Sequence, residues 1–195
     1  MSKAVLISIQ PKWVEKICNG EKTIEVRKTK PKLQTPFKCY IYCTKGKDLL
    51  REVPCWHTDK RIYTTKYKII NLDYNTNKIA NGKVIGEFIC DRIYKFAGRW
   101  FGDYTRPFGT EAMILRESCL TLDELTNYLS LKNGYAWHIF DLKIYDKPKE
   151  LFDFANYDKY QVCKGKNCFS GNCWICPNNA IVVRPPQSWC YVEEL

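Results

Sequence analysis

An eight-residue segment near the N-terminus concentrates side chains that bind polar ligands. The segment Gly20 to Arg27 (GEKTIEVR) contains Lys22, Glu25 and Arg27. Lysine offers a point charge to a phosphate, arginine a planar fork to a phosphate or base edge, and a carboxylate accepts from an exocyclic amine or orients the arginine. Glu25 and Arg27 are two apart, so on a strand they share a face and can contact a common ligand. The alternative is a buried Glu25–Arg27 ion pair that only fixes the fold.

A second cluster has the residue types of a metal site. Cys163, Cys168, Cys173 and Cys176 follow the spacing C-x4-C-x4-C-x2-C in a stretch rich in Gly, Asn and Lys. Such a stretch cannot order itself by burying apolar area, and four thiolates suit tetrahedral zinc, which would supply the missing folding energy. An iron–sulfur cluster fits less well. The alternative is reduced or adventitiously oxidised cysteines in a flexible loop.

The composition is that of a globular protein with a basic first third. Of the 195 residues, 45% are hydrophobic and 27% charged, and the formal charge of +10 arises within residues 1–68. A one-sided basic field favours a phosphate-bearing partner, although a solvated lysine-rich surface explains it equally well. No apolar stretch is long enough to cross a membrane, no signal peptide is evident, and eleven cysteines form an odd set. We expect a soluble, cytoplasmic protein with mostly reduced cysteines, of which Cys18, Cys39, Cys43, Cys90 and Cys119 are core residues.

The hydrophobic pattern predicts one α+β domain over residues 1–195, and a small curved barrel is one architecture that fits it. A strand (Ala4–Ile9) precedes a short helix that Pro11 begins and Asn19-Gly20 ends, and strand Lys22–Lys28 follows. A capping box at Thr121 and Glu124 starts a helix that Gly134 ends. Residues 45–81, with strand Tyr63–Ile70, and residues 157–180 are predicted insertions. The other predicted elements are strands Phe37–Cys43, Lys83–Tyr94 (with a bend or close approach at Gly86), Trp137–Tyr145, Ala180–Arg184 and Ser188–Val192, and a short helix Pro148–Ala155.

The segment Gly20 to Arg27 resembles the G-x-K-x-x-E-x-R signature of the ASCH domain family. Further likeness lies in SIQPKW (residues 8–13), GKVIGEF (82–88) and RPPQSWCYV (184–192), the last being similar to the closing strand of a bacterial and phage subgroup. The resemblance implies a PUA-like β-barrel with flanking helices, and a cleft lined by Lys22, Glu25 and Arg27. It also implies a protein that binds RNA or a nucleotide.

Aromatic side chains supply stacking surfaces for bases. Trp100 lies in a polar, glycine-flanked loop with Arg99 and Arg106 nearby, so we predict it as a stacking platform, the alternative being a loop aromatic folded onto the barrel. Lys12 joins the predicted ligand contacts. Trp13 is predicted to be a core residue. His57 and His138 have no partner at metal-ligand spacing, and His138 is interpreted as a hydrogen-bonded strand residue.

An enzyme is the alternative function. Some small ASCH proteins are similar to amidohydrolases that deacylate N4-acylated cytidine with the signature lysine, a threonine two residues before the arginine, and a distant glutamate. Lys22 matches, but Glu25 occupies the threonine position and Thr23 is displaced by two. Glu87 or Glu117 are candidates for the distant acid. Lys22 and Glu25 are then the catalytic pair, acting on a water. A third possibility is an interaction or scaffold protein.

Overall fold

A computed structural model describes residues 3–57, 62–70, 79–97, 109–130, 132–164 and 180–195. For residues 54–57, 62–65 and 161–164, only the backbone is described. The described elements combine helices with a mixed sheet, so the predicted α+β class is confirmed. Within these ranges, no helix combines the length and the apolar character that crossing a bilayer requires.

The main sheet has six strands: β1 (Ala4–Ile9), β3 (Phe37–Cys43), β6 (Val84–Cys90), β9 (Phe140–Lys149), β10 (Phe154–Asn156) and β11 (Trp189–Glu194). Their order across the sheet is β10-β11-β1-β3-β6-β9. β1 and β3 are parallel, and the other neighbouring pairs are antiparallel.

Two smaller sheets flank the main one. A three-stranded sheet has the order β2-β8-β7, with β2 (Ile24–Arg27), β7 (Ile93–Phe96) and β8 (Gly134–His138). A hairpin pairs β4 (Leu50–His57) with β5 (Ile62–Ile69) and falls within the predicted insertion. No closed barrel is found among the described strands, so the predicted barrel is not confirmed.

Four helices lie within the described ranges: α1 (Pro11–Cys18), α2 (Thr110–Ser118), α3 (Leu122–Leu129) and α4 (Tyr157–Lys164). The largest apolar cluster joins one face of the main sheet to Val14 and Ile17 of α1. A separate cluster packs Ile24 and Val26 of β2 against Ile114 of α2 and Leu125 of α3. The inward face of β2 is therefore apolar, and its alternate residues, Glu25 and Arg27, point away from that cluster.

Three predicted boundaries were wrong, two of them because apolar residues continue across a break. The predicted strand Lys83–Tyr94 is two strands of different sheets, divided at Asp91. Trp137–Tyr145 likewise divides between β8 and β9 after His138. The helix predicted to run to Gly134 ends at Leu129, because Ser130 adopts the left-handed conformation (φ 51°) that was expected of the glycine. Gly134 instead begins β8, where an added Cβ would lie 2.6 Å from the Phe96 ring.

The other predicted elements had mixed outcomes. Gly86 allows the close approach that its position predicted, since an added Cβ would lie 2.5 Å from the Lys143 carbonyl. Residues 148–155 end β9 and continue as a 3-10 turn and β10, so the predicted helix was wrong; Pro148 is tolerated because β9 is an edge strand. The predicted strand at 180–184 is a single bridge from Ile181 to Ala155. Helix α2 was not predicted.

Candidate ligand-binding cleft

A cleft of about 770 Å³ lies where the end of β1, the start of α1, strand β2 and helix α3 meet. The segment 185–188, which precedes β11, forms another wall. Its lining residues are Ser8, Ile9, Gln10, Lys12, Trp13, Lys22, Glu25, Val26, Arg27, Thr44, Leu120, Glu124, Asn127, Tyr128, Pro185, Pro186, Gln187 and Ser188. The cleft therefore brings together Lys12, Lys22, Glu25 and Arg27, four of the residues predicted from the sequence to contact a ligand.

Glu25 joins Lys22 and Arg27 in a continuous ion-pair network beside the cleft. The Glu25 Oε1 lies 2.9 Å from Arg27 Nη2, and its Oε2 lies 3.3 Å from Lys22 Nζ. The three residues are only 3%, 6% and 7% exposed for Lys22, Glu25 and Arg27. The buried Glu25–Arg27 ion pair that the sequence offered as the alternative is therefore present, and the same two side chains line the cleft.

The Lys22 ammonium has no hydrogen left for a ligand. It donates to the Ile24 carbonyl at 2.7 Å and to the Ser118 carbonyl at 2.8 Å, and its third direction is taken by Glu25. An ammonium has three donors and no acceptor. Lys22 therefore holds Glu25 in place and ties β2 to the end of α2.

Arg27 connects β2 to strand β1 and to segment 185–188. Its Nη2 donates to the Ser8 carbonyl at 2.6 Å, and its Nη1 lies 3.4 Å from the Ser188 hydroxyl. Its buried Nε has no hydrogen-bond partner among the described residues. Ser8 in turn donates through its hydroxyl to the Pro186 carbonyl at 2.7 Å, which fixes segment 185–188 over the network.

Two aromatic rings line the cleft. Trp13 is half-buried, with Lys12 Nζ 4.2 Å and Lys22 Nζ 5.4 Å from its ring centre. Its predicted core role is met in part, because Trp13 packs against the core cluster that contains Val14 and Ile17 and also lines the cleft. Tyr128 of α3 is 38% exposed. Burial raises the pKa of its hydroxyl, against the opposing effect of the Arg27 charge.

The rim is polar and carries little net charge. Exposed side-chain amides of Gln10, Asn127 and Gln187 surround the opening. Lys12 pairs with Glu124 at 3.0 Å. Three cationic and two anionic side chains line the cleft, which leaves one net positive charge.

Local sequence features place these groups. Gly20, with φ of 76°, reverses the chain after α1 and brings Lys22 into the cleft. The capping box predicted at Thr121 and Glu124 is present, and the same Glu124 carboxylate that caps α3 also receives Lys12. Pro11 begins α1 as its position predicted.

The remaining predicted catalytic residues lie outside the cleft lining. Thr23 precedes β2, and its hydroxyl lies 3.5 Å from Glu117 Oε2. Glu87 lies on β6, where it pairs with Lys38 and accepts from Tyr145. Glu117 therefore lies beside Thr23, and its backbone carbonyl accepts from the Thr23 amide at 2.9 Å, but no hydrogen bond or ion pair among the described residues joins the carboxylate of Glu87 or Glu117 to Lys22 or Glu25.

Other predictions fall partly outside the description. Trp100, Cys168, Cys173 and Cys176 lie outside the described residues, as does the side chain of Cys163. Within the described ranges, no group of three or more His, Cys, Asp or Glu side chains is arranged to hold a metal ion. His138 is hydrogen-bonded as interpreted, with its Nδ1 2.6 Å from Asp91 Oδ1.

The cysteines predicted to be core residues are largely so. Cys39, Cys43 and Cys90 are buried, while Cys18 and Cys119 are partly exposed. Burial raises the pKa of Cys18, Cys43 and Cys90 to about 12. These thiols therefore stay protonated and unreactive near neutral pH.

Sequence reasoning missed the contributions of residues far from the signature. Tyr128, Asn127 and Gln187 reach the cleft only through tertiary packing, although the polar face of the α3 pattern was a usable signal for the first two. The resemblance noted at residues 184–192 included Gln187 and Ser188 but attached no site role to them.

No family model and no curated protein matches this sequence. Solved structures do match. The ASCH protein from Zymomonas mobilis is 16% identical, with 97% of this chain and 87% of that chain covered and a TM-score of 0.50. A Tyr-to-Phe variant of that protein is 16% identical, with 98% of this chain and 91% of the variant covered. A Ser-to-Ala variant is 15% identical, with 97% of this chain and 88% of the variant covered. Each has a TM-score of 0.52. The resemblance seen in the signature thus extends to the whole architecture, and this chain has the fold of the ASCH proteins.

Proposed function

We propose that the cleft binds a nucleotide unit, either a free nucleotide or one residue of a single-stranded RNA. The observation that carries this proposal is the combination of a cleft of about 770 Å³ with a buried Arg27–Glu25 pair and the ring of Tyr128 in its lining. That volume falls within the range of pockets that enclose one small organic ligand. It suits a single nucleotide unit.

Each part of a nucleotide finds complementary chemistry. An aromatic ring offers a stacking face to any base, worth about 1–3 kcal/mol per base. The amides of Gln10, Asn127 and Gln187 offer both donors and acceptors to base edges. The net positive charge of the lining favours an anionic ligand.

Buried charges support binding over a purely structural role. Replacing a buried ion pair with apolar residues often leaves stability unchanged or raises it, so such a network needs a reason beyond stability. A network beside a cleft supplies one, since it presents fixed charge without reorganisation when the ligand arrives. Lys22 acts by positioning Glu25, and Arg27 and the rim residues make the contacts.

Calorimetric titration with nucleotides and short RNAs tests the proposal. Tyr128→Ala should weaken binding by about 1–3 kcal/mol while the melting temperature changes little. Phe152→Ala is the matched control, because Phe152 is 55% exposed and lies outside the cleft lining. Equal affinities for the two variants, or no binding by the wild type to any member of the panel, would rule the proposal out.

Salt dependence separates the two forms of ligand. Binding to single-stranded RNA through several phosphates should fall steeply between 50 and 200 mM salt, by on the order of a hundredfold for a multi-contact site. A single nucleotide should show a much shallower decrease.

The amidohydrolase alternative is less favoured by the geometry. Lys22 and Glu25 are adjacent, as a proton-transfer pair requires, but all three Lys22 donors are engaged and Glu25 is shared by two cations. Neither group is free to act on a water. Turnover of N4-acetylcytidine, followed by mass spectrometry and abolished in Lys22→Met, would establish the enzyme instead. An interaction or scaffold protein would bind no member of the nucleotide panel.

We also propose that Cys163, Cys168, Cys173 and Cys176 hold a structural zinc ion. This proposal rests on the spacing and thiolate chemistry of the four cysteines alone. We propose a cytoplasmic location for the protein as well. Elemental analysis should find about one zinc per chain, and Cys173→Ser with Cys176→Ser should abolish it. A zinc content near zero in the wild type, with four thiols open to alkylation, would contradict the site.

A further inference from the structure

A smaller notch of about 240 Å³ adjoins the cleft. It is lined by Gln10, Pro11, Lys12, Thr44, Lys45, Gly46, Lys47 and Asp48. Gln10, Lys12 and Thr44 line both spaces, so the notch and the cleft lie side by side. A nucleotide unit bound in the cleft would therefore have the notch beside it.

The notch contains two lysines that have no acidic partner. Lys45 and Lys47 are exposed, and within the described part of the chain neither forms an ion pair. Lys12, which also lines the notch, differs from them because it pairs with Glu124. Asp48 is the one acidic residue of the notch lining, so the lining remains cationic with Lys12 already neutralised.

The backbone that carries these lysines is anchored to the main fold. The Thr44 amide donates to the Ile9 carbonyl at 2.9 Å, and the Asn81 side-chain amide donates to the carbonyls of Thr44 at 3.3 Å and Asp48 at 2.9 Å. Both ends of segment 44–48 are thus fixed.

Gly82 leaves room for the side chain of Lys45. A Cβ added at Gly82 would lie 2.9 Å from the Lys45 Cε, so the absence of a side chain there lets the lysine stem lie across it. The Gly82 amide also donates to the Cys43 carbonyl at 2.7 Å. The Lys45 stem therefore lies against the backbone at Gly82.

We propose that the notch is a phosphate subsite of the cleft, with Lys45 and Lys47 as the contacts, and that the natural ligand is a phosphorylated nucleotide unit instead of a free nucleoside. This inference rests on the proposed function. Two unpaired ammonium groups offer point charges to a phosphate, which carries more negative charge than any other part of a nucleotide.

The test compares the four ribonucleosides with their 5′- and 3′-monophosphates by calorimetric titration. For the wild type, at least one phosphate position should tighten binding by about tenfold or more, the scale of one charge-assisted contact. The ratio of nucleotide to nucleoside affinity should decrease as salt is raised.

A matched pair of double variants assigns the effect to the notch. Lys45→Ala with Lys47→Ala should bring the ratio close to one. Lys66→Ala with Lys68→Ala removes the same charge from exposed positions on β5, outside both spaces, and should keep the wild-type ratio.

Each other outcome overturns a defined part of the account. Nucleosides that bind as tightly as nucleotides would overturn the phosphate subsite and leave the cleft proposal standing. Equal loss in the two double variants would reduce the lysines to a general electrostatic effect and also overturn it. Failure of both nucleosides and nucleotides to bind would contradict the proposed function itself.

Discussion

Two polar networks of similar composition occupy different environments in this fold. The cleft network is Lys22, Glu25 and Arg27. The sheet-face network consists of Lys38, Tyr40, Glu87, Tyr145, Lys149 and Glu194, from strands β3, β6, β9 and β11. In both, a carboxylate is held between donors on neighbouring elements, and only the first network lines the cleft.

The cleft network and the sheet-face network differ in how deeply their side chains are buried. Glu87 accepts from Tyr145 at 2.5 Å and Lys38 at 3.0 Å, but Lys38 keeps 37% of its side chain in solvent and Glu87 keeps 20%. Glu25 and both of its partners are almost wholly desolvated. A partly exposed ion pair is screened and contributes little, whereas removal of one member of a buried network leaves an uncompensated charge. Charge pattern alone therefore does not distinguish the two networks, and buried charge beside a cleft is the feature on which we base the proposed binding site.

The largest effect is expected for Glu25→Gln. This change leaves Lys22 and Arg27 buried without their shared anion, and should lower the free energy of unfolding by about 3–5 kcal/mol. Urea denaturation measures it. The double change with Lys22→Met should cost less than the sum of the single changes, because the two residues share one interaction. Strict additivity would contradict the network.

A smaller effect is expected for Arg27→Lys. The charge is kept, but one ammonium cannot reproduce the planar fork that spans Glu25, the Ser8 carbonyl and Ser188. Losing one such hydrogen bond should lower the free energy of unfolding by about 1–3 kcal/mol and weaken nucleotide binding. Wild-type affinity in a variant of reduced stability would assign Arg27 to the fold alone.

The smallest effect is expected for Glu87→Gln, and it should depend on pH. Burial acts to raise the pKa of Glu87, but hydrogen bonds from Tyr145 and Lys38, with the Lys143 charge, lower it on balance. A carboxyl whose pKa is lowered by folding contributes stability above its unfolded value, and loses that contribution as the pH falls through the folded value. The wild type should therefore lose stability below about pH 4.5, the ordinary range of a glutamate pKa.

Denaturation of Glu87→Gln between pH 3 and 7 should show a shallower acid decline than the wild type. Glu194 has the same direction of pKa change, from Lys149 and Tyr40 acting against burial, so part of the decline should persist. If the free energy of unfolding declined equally with acid in the variant and the wild type, the hydrogen bonds to the Glu87 carboxylate would contribute nothing to stability.

Local patterns predicted the parts of this fold that depend on neighbouring residues. Strands β1 and β3, the start of α1 and the capping box of α3 follow from alternation, Pro11 and the Thr121–Glu124 spacing. The position of Glu25 and Arg27 on one strand face follows from their spacing. The sequence placed Trp13 in the core but not in the cleft lining, because an amphipathic pattern shows which helix face packs inward and not where a cleft opens beside that face.

The other cleft walls could not be predicted because they are set by long-range packing. Ser188 approaches Arg27 across 161 positions of sequence, and Ser118 receives Lys22 across 96. The commitment of all three Lys22 donors depends on helix α2, which was itself not predicted. The difference between a ligand contact and a positioning residue is therefore visible only in three dimensions.

Fluorine NMR of protein labelled with 5-fluorotryptophan tests the central claim most directly, because the chain carries one tryptophan in the cleft lining and another in the core. Trp13→Phe and Trp137→Phe identify these two resonances among those of the six tryptophans in the sequence. On titration with ribonucleotides and short single-stranded RNAs, the Trp13 resonance should shift saturably while that of the fully buried Trp137 stays in place. Saturable binding that leaves the Trp13 resonance unmoved would contradict a nucleotide site in this cleft.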